Sequence, residues 1–539
     1  MHFGREIIIK PIKKNNMYPI LKKNLLLVLS GAWLAAASCT TSPQTAPEAS
    51  SADDVYKNLP FEMAAIERPV FPDYQVSICD FGAQNGGKSL CTEAINEAIR
   101  SVHERGGGTV VIPAGLWLTG PIVLQSNVNL HTEKNALVIF SSDYNLYPII
   151  ESSFEGRSEK RCQSPISALN AENIAITGEG VFDGSGDKWR PVKKMKMTER
   201  QWKDLLKSGG KVDAAGKIWY PDAGALKASE LMAQKGATQS SISDAQWEEM
   251  RVWLRPVLVS IRKSKKVLLE GVTFKNSPAW CIHPLSCESL IVNDVKVFNP
   301  WYSQNGDALD VESCKNVLVS NCLFDAGDDA ICLKSGRDEE GRLRGEPCEN
   351  VVVRDNVVLH GHGGFVIGSE MSGGVKNVSV SGCSFVGTDT GLRFKSARGR
   401  GGVVENIHIS DINMINISGD ALTFDLYYMG SGANQQIPSV DEGTPLFKDI
   451  FISDVYCRGA GRAAGFNGLP ELPVRNIQVE NMVVTDARTG VVISRVDGVK
   501  MSGLDVEADG PAVQIENASD VTINGKHYDE VGAKETLAL

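Results

Sequence analysis

A short phrase recurs along the second half of the chain and constrains the fold more than any other feature. Each copy begins with a polar residue, usually Asn, continues with alternating β-branched or apolar residues and ends, after a polar turn, in a second alternating run. The copies follow one another at intervals of 22 to 43 residues. They begin at Lys266, Ser289, Asn316, Asn350, Asn377, Asn406, Asp449, Asn476 and Gly498.

Each copy supplies two short strands whose single apolar face is too small to fold alone. Neighbouring copies must therefore stack as the coils of a solenoid. We predict an all-β fold, a right-handed parallel β-helix, in which the recurrent Asn residues form side-chain ladders and adopt turn conformations that other residues disfavour. An antiparallel β-sandwich also has short strands at short intervals, but the regularity of the repeat favours the solenoid.

Two segments depart from the repeat. The stretch from Cys91 to Gly108 has apolar residues at helical spacing, which predicts an amphipathic helix that caps the first coil. Between about residues 187 and 254 the repeat vanishes, and two helical patterns indicate an insertion into the solenoid. We predict that residues 59–539 form one domain with a helical cap and a helical insertion.

The N-terminal region has the features of an export signal. Basic residues precede an apolar run from Leu25 to Leu34, which is too short to span a bilayer. The small residues before Cys39 resemble the lipobox of bacterial lipoproteins, with Ala36 at the place where leucine is usual. We predict a signal peptide over residues 1–38, with Met17 as an alternative start, and lipidation of Cys39.

A tether rich in Thr, Ser, Pro and Ala follows over residues 39–58. Together these features predict an exported protein, either an outer-membrane lipoprotein or a periplasmic protein, that contacts a membrane only through a lipid anchor. Ordinary cleavage near Ala37 is the alternative and would give a secreted protein.

The charge balance and the cysteine pattern exclude some partners. With 55 Lys+Arg against 65 Asp+Glu, the net charge of −10 provides no global positive field for nucleic acid. The 12 cysteines include no CxxC pair, so we expect no structural zinc. Most are predicted to be buried small hydrophobic residues, with a Cys281–Cys287 disulfide left open.

Four polar clusters interrupt the apolar strands at intervals of about one coil. Because stacked parallel strands lie about 4.8 Å apart, four neighbouring coils place the clusters along a strip of roughly 15 Å. Such a strip predicts a cleft for a chain-like substrate of a few linked sugars. The clusters are NGDALD, GDDAICLKSG, HGHGGFVIGSE and GLRFKSARGRGG, over Asn305–Asp310, Gly327–Gly336, His360–Glu370 and Gly391–Gly402.

Three aspartates in these clusters, Asp307, Asp328 and Asp329, suffice for glycoside hydrolysis. One carboxyl group protonates the leaving oxygen while a carboxylate activates water or attacks carbon, and crowding of like charges raises at least one pKa. Asp328 and Asp329 are adjacent, so they share a cleft only if Gly327 helps to form a turn or bulge. Alone, such a pair more often binds calcium or caps a turn.

The remaining polar residues suit an acidic sugar. His362, set between two glycines, is placed to hydrogen-bond the acid. Arg393 and Lys395 are two residues apart on a strand, so they share a face and supply two cations for a uronate carboxylate. Weaker candidates for substrate binding are Lys334, Arg398 and Tyr427.

In this order the four clusters resemble the signature of the polygalacturonase family of glycoside hydrolases, family 28. That signature consists of the motifs N-T-D, D-D, G-H-G and R-I-K, and here Gly306 replaces Thr and Phe394 replaces Ile. The segment DFGA at residues 80–83, with the helix after it, is similar to the N-terminal cap of the pectate-lyase-like superfamily. The likeness covers nearly all of the predicted mature chain.

The resemblance implies roles for individual residues. It makes Asp328 the general acid, whereas Asp307 and Asp329 position and deprotonate water for inversion. His362 completes the catalytic group, and Asn305, Arg393 and Lys395 bind substrate, with no metal and no organic cofactor. Sequence alone does not decide which carboxyl group is the acid.

The leading functional prediction is hydrolysis of α-1,4-galacturonosyl linkages in a pectic polysaccharide by a monomeric enzyme. A calcium-dependent pectate lyase on the same fold is one alternative, and a rhamnogalacturonan or xylogalacturonan hydrolase is another. A non-catalytic β-helix that binds carbohydrate is the third.

The insertion predicts attack from chain ends. It leaves the solenoid two or three coils before Asp307, where a wall would block a continuing polymer. Aromatic faces and cations in the insertion would suit a terminal uronate, although a surface decoration or a partner-binding helical pair is the alternative. The side chains in question are Trp189, Trp202, Trp219, Lys193, Lys194 and Lys196.

Overall fold

The computed structural model describes residues 55–428 and 436–537. The described residues from 56 onward belong to one compact unit. The predicted signal peptide, its alternative start at Met17 and the lipidation site Cys39 lie outside the described residues. No described helix is both long and apolar enough to cross a membrane.

The N-terminal part of the described chain contains one α-helix and eleven strands. Helix α1 covers the same stretch as the predicted cap, and its apolar face is buried. The elements are β1 (Gln75–Ser77), α1 (Thr92–Glu104), β2 (Gly108–Ile112), β3 (Gly115–Thr119), β4 (Ile122–Val123), β5 (Val128–Thr132), β6 (Ala136–Phe140), β7 (Ile149–Phe154), β8 (Arg157–Cys162), β9 (Ile166–Leu169), β10 (Glu172–Gly178) and β11 (Val181–Asp183).

The insertion lies between β11 and the strand that resumes the solenoid at Val259. Its helices begin with side-chain caps from Thr198, Asp222 and Ser243, which bind backbone N–H groups of the first turn. The elements are β12 (Val192–Lys193), α2 (Glu199–Lys207), β13 (Lys211–Val212), β14 (Ile218–Tyr220), α3 (Ala223–Met232) and α4 (Asp244–Glu249).

The central coils carry the predicted cleft. They comprise β15 (Val259–Arg262), β16 (Lys265–Glu270), β17 (Thr273–Lys275), β18 (Ile282–Leu285), β19 (Glu288–Asn293), β20 (Lys296–Phe298), β21 (Leu309–Glu312), β22 (Lys315–Ser320), β23 (Leu323–Asp325), β24 (Asp329–Lys334), α5 (Asp338–Arg344), β25 (Cys348–Arg354), β26 (Val357–His360), β27 (Gly363–Ile367), β28 (Val375–Val386), β29 (Leu392–Lys395) and β30 (Val403–Asp425).

The C-terminal coils end in an antiparallel cover. Strands β36 and β37 pair antiparallel with the last parallel strands, so they close the open edge of the solenoid. The elements are β31 (Leu446–Asn467), β32 (Val474–Ser494), β33 (Val496–Ala508), β34 (Val513–Glu516), β35 (Ala518–Ile523), β36 (Lys526–Val531) and β37 (Glu535–Leu537).

Parallel pairing joins each strand to its equivalent in the next coil. Val267 is opposite Leu290, Leu290 is opposite Val317, and the same column continues to Val499 and Val521. The first apolar residue of each phrase thus lies against that of the next phrase. The fold is the predicted right-handed parallel β-helix.

The recurrent Asn residues form the predicted ladder. Asn350 Nδ2 donates to Asn316 Oδ1 at 3.0 Å, and Asn377 and Asn406 continue the series at 3.0 and 2.7 Å. All four have φ between 55° and 58°, in the left-handed region that Asn tolerates better than most residues.

A β-hairpin, β7 and β8, leaves the solenoid before β9 and crosses towards α5. Its two-residue turn has positive φ at Glu155 and Gly156. The tip contacts α5, where Arg157 pairs with Asp338 and the backbone N–H of Ser158 donates to Glu340 at 2.8 Å. The repeat analysis did not predict this hairpin, although its polar stretch with a Glu-Gly turn is a hairpin pattern.

The cysteines are free thiols throughout the described residues. Cys281 and Cys287 are both buried and unpaired, so the disulfide left open between them does not form. Only Cys79 is exposed among the eleven described cysteines, which confirms that most are small core residues.

Candidate active site

Four strands that lie side by side in the sheet carry the predicted strip. They are β21, β24, β27 and β29. Cys332 of β24 is opposite both Asp310 of β21 and Val366 of β27, and Val366 is opposite Arg393 of β29. The turns that precede these strands hold the other polar residues of the clusters. The four clusters therefore lie on neighbouring coils, as predicted.

A local irregularity allows Asp328 and Asp329 to face the same cleft. Ala330 and Ile331 both belong to the hydrophobic core, so the in-and-out alternation of the strand breaks beside Asp329. A Cβ at Gly327 would lie 2.1 Å from Ser303 Oγ, so the preceding turn requires glycine. The predicted turn or bulge at this place is confirmed.

Packing accounts for both departures from the family signature. A Cβ at Gly306 would lie 1.9 Å from Ser303 Oγ, so the hydroxyl group of Ser303 takes the space of the usual Thr. The ring of Phe394 stacks on that of Phe424 with centroids 4.3 Å apart. Gly306 therefore fits the space left by Ser303 in the turn, and Phe394 fits against Phe424 in the core.

Asp329 is held by two cations. Lys395 Nζ lies 2.6 Å from Oδ2 and Arg393 Nη1 lies 3.2 Å from Oδ1, and the carboxylate is only 2% exposed. Burial would lower the pKa of Lys395, but the charge of Asp329 outweighs it and raises that pKa. The two cations predicted to bind a substrate uronate thus bind a carboxylate of the protein itself. Both also lie over the ring of Tyr428.

Asp328 and His362 form a hydrogen-bonded dyad, with Asp328 Oδ1 3.0 Å from His362 Nδ1. Burial raises the pKa of Asp328, but the hydrogen bond from His362 and nearby cations outweigh it and lower the pKa below its usual range. The same hydrogen bond raises the pKa of His362. Both shifts favour a protonated imidazole beside an ionised carboxylate.

Lys196 of the insertion reaches this dyad. Its Nζ lies 3.4 Å from His362 Nε2, and Asp389 Oδ2 lies 3.8 Å from the same nitrogen. Partial burial lowers the pKa of Lys196, and its positive charge opposes the protonation of His362. Lys196 was predicted only as a cation of the wall, and the structure brings it to the acid itself.

Asp307 and Asp310 are buried carboxyl groups at 3% and 0% exposure. Burial and the neighbouring carboxylates raise the pKa of both well above the usual range. Asp307 Oδ1 and both oxygens of Asp310 accept no hydrogen bond from the described residues. Burial and the predicted crowding of like charges therefore both favour the protonated form of these two groups.

Access distinguishes the three aspartates of the signature. The side chain of Asp328 is 24% exposed, against 2% for the Asp329 side chain and 3% for residue Asp307 as a whole. A general acid must touch the leaving oxygen, so exposure favours Asp328, whose proton comes from the dyad.

Among the described residues, the three weaker candidates form no ion pair with Asp307, Asp328 or Asp329. Lys334 is 3% exposed and binds Glu370 at 3.0 Å and Asp310 at 3.5 Å, so its ammonium group lies under the cleft and supports carboxylates rather than contacting substrate. Tyr427 lies beneath Arg398, in a C-terminal cavity of about 510 Å³ that both residues line.

Asn305 is bound by a residue that the sequence did not single out. Its Oδ1 accepts from Arg255 Nη2 at 2.6 Å. Asp310 and Glu370 were inside the predicted clusters without a role, and Tyr428 was passed over beside Tyr427. Arg255 follows the insertion without any motif around it, so no local pattern reveals it.

The outer face of the central sheet is covered before the acids and open after them. On β15, β18 and β21 the side chains of Ser260, His283 and Asp310 point outward, and all three are buried. The ring centroid of Phe154 in the hairpin lies 4.6 Å from that of Trp280. On the C-terminal side, Arg393 lines a cavity of about 390 Å³. The hairpin and the insertion thus close one end of the cleft.

The prediction that tryptophans of the insertion present aromatic faces to a sugar is wrong. Trp189, Trp202 and Trp219 are 1%, 6% and 5% exposed, because they form the small hydrophobic cores that hold the insertion together. Trp202 and Trp219 pack with Tyr302, and Trp189 packs with Tyr147 before the hairpin. These tryptophans build the wall and do not contact a sugar.

The acidic cluster has the spacing of a cation site. One oxygen atom from each of Asp307, Asp328 and Asp329 lies within 4.8 Å of the others. Both oxygens of Asp329 already bind Lys395 and Arg393, so side chains compensate much of the negative charge. The absence of a metal from the reaction stays a prediction.

Comparisons with known proteins agree with this geometry. The family model for glycosyl hydrolases family 28 matches residues 235–455. The chain is 31% identical to the solved structure of a hyperthermoactive exopolygalacturonase from Thermotoga maritima, with a TM-score of 0.65, over 88% of this chain and 97% of that one. The chain belongs to glycosyl hydrolases family 28.

Two curated relatives of this family 28 enzyme cover different shares of its length. A probable polygalacturonase of Vitis vinifera is 26% identical over 76% of this chain and 74% of its own. An exo-poly-alpha-D-galacturonosidase of Dickeya chrysanthemi is 27% identical over 66% of this chain and 57% of its own. Family 28 membership makes the protein a glycoside hydrolase of the polygalacturonase family.

Proposed function

We propose that the protein hydrolyses α-1,4-galacturonosyl linkages of pectin-type polysaccharide from chain ends, with inversion. The observation that carries the proposal is the meeting of three aspartates, one dyad and a cationic surface at a cleft closed at one end. The Thermotoga and Dickeya relatives are both named for exo-action on galacturonan.

The chemistry needs two proton transfers. His362 passes its proton to Asp328 through their 3.0 Å hydrogen bond, and Asp328 delivers it to the leaving oxygen. Asp329 accepts a proton from the attacking water, and the neutral Asp307 beside it positions that water. Water supplies the new C–O bond, so bond cleavage and bond formation balance without a cofactor.

Inversion requires that no carboxylate attacks the anomeric carbon. The oxygens of the three aspartates lie within 4.8 Å, closer than the roughly 6.5–9.5 Å typical of inverting pairs. The Asp329 side chain is nonetheless only 2% exposed, so we expect a water molecule rather than its carboxylate to reach the anomeric carbon. Burial raises the pKa of Asp307, which makes that carboxyl group a poor nucleophile. NMR of the first product decides, since inversion releases the β-anomer from an α-linkage.

The uronate preference rests on charge at the open end of the cleft. The cavity of about 390 Å³ is lined by Arg393, Lys395, Arg462 and Arg495 together with Tyr428. Cations suit the carboxylates of a polyuronate and aromatic rings suit sugar faces. Arg393 and Lys395 also bind Asp329, and Arg462 pairs with Asp420, so a uronate carboxylate would share these cations with carboxylates of the protein.

A reducing-end assay across pectic polymers tests the function. We expect release from polygalacturonate in the presence of a chelator, without ultraviolet-absorbing unsaturated products. Calcium-dependent release of unsaturated products would indicate a lyase instead. Faster release from rhamnogalacturonan or xylogalacturonan would move the substrate to those polymers, and no release from any of them would indicate a binding protein.

Time-resolved product analysis tests whether the enzyme attacks the polymer from chain ends. We expect mono- or digalacturonate alone from the earliest time, with slow loss of viscosity. A ladder of mixed oligomers with rapid viscosity loss would contradict exo-action.

We also propose export with lipidation at Cys39, from the sequence pattern around that residue. Incorporation of labelled palmitate into the wild-type protein, and its loss in Cys39→Ser, would support the anchor. An unlabelled mature protein cleaved near Ala37 would contradict it.

A further inference from the structure

A cavity of about 630 Å³ lies at the flank of the cleft, beside the turns that lead into β21, β24, β27 and β29. These turns contribute Trp301, Gly327, His362 and Asp389 to its lining, and the insertion contributes Lys196. A polymer that follows the strip of clusters runs from coil to coil, across the strands. A cavity at the ends of the strands therefore suits a group that branches off the polymer rather than a residue of its main chain.

The cavity reaches the catalytic dyad from the side of His362 that does not bind Asp328. His362 Nδ1 lies 3.0 Å from Asp328 Oδ1. Its Nε2 lies 3.4 Å from Lys196 Nζ and 3.8 Å from Asp389 Oδ2, and both of these residues line the cavity. A group held here therefore belongs to a sugar beside the cleaved linkage.

The charged side chains of this flank cavity are matched in sign. His360 Nδ1 lies 3.0 Å from Asp325 Oδ1, and both residues line the cavity. Lys196 interacts with the charges of Asp328 and Asp389. Because each cation has a carboxylate nearby, the flank cavity favours a neutral ligand with hydroxyl groups over a further uronate.

Trp301 offers the aromatic surface that such a ligand requires. It is 52% exposed, in contrast to the buried tryptophans of the insertion. Its ring is perpendicular to that of Tyr302, with the centroids 5.8 Å apart, and Tyr302 packs with Trp202 and Trp219. The insertion thus holds an exposed aromatic residue in place at a cavity, an arrangement typical of ligand binding.

We propose that the flank cavity receives a neutral sugar branch of the galacturonan chain, with Trp301 stacking on the branch and Lys196 and Asp389 binding its hydroxyl groups. The inference rests on the proposed function and deepens it, because it extends the substrate from linear to branched galacturonan. One edge of a 1,4-linked uronate ring bears the carboxylate, and the opposite edge bears the hydroxyl groups to which branches attach. A ring whose hydroxyl edge faces Trp301 directs its branch into the flank cavity.

The test compares linear oligogalacturonides with oligomers of equal length that carry one xylose branch, on the residue at either side of the cleaved linkage. For the wild type, we expect kcat/KM on at least one branched oligomer to be comparable to that on the linear one. In Trp301→Ala the value for this branched oligomer should fall about 3- to 10-fold, the scale of one aromatic contact, while the linear value stays the same. Tyr456→Ala, which removes an exposed aromatic residue of β31 outside the cavity, should change neither value.

Filling the flank cavity gives a second readout. The side chain of His360 is 58% exposed and lines the cavity, so His360→Trp places a larger ring in this space. Cleavage of the branched oligomer should then slow, while cleavage of the linear oligomer should not.

Three results would overturn the inference. They are cleavage of the linear oligomer alone by the wild type, equal losses on both substrates in Trp301→Ala and His360→Trp, and full activity of both variants on the branched oligomer. A wild type that cleaves neither linear nor branched oligomers would overturn the proposed function instead.

Discussion

His362 Nδ1 lies 3.0 Å from Asp328 Oδ1, which makes the most exposed of the three aspartates part of a dyad. We expect Asp328→Asn to lower kcat on polygalacturonate by about 10²–10⁴-fold with little change in melting temperature, because the amide keeps the shape but donates no acidic proton. Activity near that of the wild type would refute the assignment.

The leaving group separates the acid from the base. A galacturonide with a nitrophenolate leaving group needs no proton, so Asp328→Asn should retain far more activity on it than on polygalacturonate. Asp329→Asn should lose both activities, since water still requires a base. The reverse pattern would assign the acid to Asp329.

We expect Lys196 to set the alkaline limit of activity through its contact with His362. The groups that face His362 are Asp328, Asp329 and Asp389, which favour its protonated form, and Lys196, which opposes it. Removing that cation in Lys196→Met raises the pKa of His362, so the dyad keeps its proton to higher pH. The alkaline limb of kcat/KM should move up in pH, whereas Lys196→Arg should leave it in place.

Arg393 and Lys395 should differ in effect although their charges are alike. Lys395 is 6% exposed and binds Asp329, so Lys395→Met should cost about 3–5 kcal/mol in the free energy of unfolding and lower kcat. Arg393 is 21% exposed and lines the open cavity, so Arg393→Met should chiefly raise KM. Chemical denaturation and steady-state kinetics separate the two effects, and equal KM changes without loss of stability would contradict the distinction.

The fold could be predicted from the repeat because each coil has the same pattern of apolar and polar residues. Val267, Leu290 and Val317 were aligned by sequence spacing, and the structure pairs them in that order. Stacking forces the register, since a slip by one residue would turn apolar side chains outward. The order of the polar clusters on neighbouring coils follows from the same rule.

Contacts made by segments outside the repeat were not predictable. Arg255 binds Asn305 across 50 residues of sequence, and Lys196 reaches His362 across 166. The tryptophans of the insertion were assigned to substrate because aromatic residues suit both sugars and cores. Only the packing of the insertion shows that they are buried.

Asp310 should make stability depend on pH. In the unfolded chain it ionises above a pH of about 3.9, whereas burial raises its pKa in the folded protein. The folded state then binds more protons, so rising pH costs the wild type up to about 1.4 kcal/mol per pH unit through this group. Asp310→Asn should match the wild type near pH 4 and be more stable at pH 7, as measured by thermal unfolding at both values. A constant difference between the two pH values would contradict this prediction.

The hairpin should decide whether the enzyme acts from chain ends. Residues 152–159 form its tip, which packs Phe154 on Trp280 and pairs Arg157 with Asp338. Glu151 is opposite Lys160, so an Asn-Gly turn between them shortens the hairpin without changing its register. With the closed end opened, mixed oligomers should appear early, and viscosity should fall faster per bond cleaved than with the wild type because internal linkages become accessible.

The matched control for this shortening is Arg458→Gln, which removes an exposed ion pair with Asp486 far along the chain. Exposed pairs contribute little to stability, so its products should match those of the wild type. If the shortened enzyme still releases only mono- or digalacturonate, the insertion alone closes the cleft. The burial of Ser260, His283 and Asp310 indicates a continuous wall at the closed end. If both the shortened enzyme and the wild type give ladders of oligomers, this wall does not exclude the polymer.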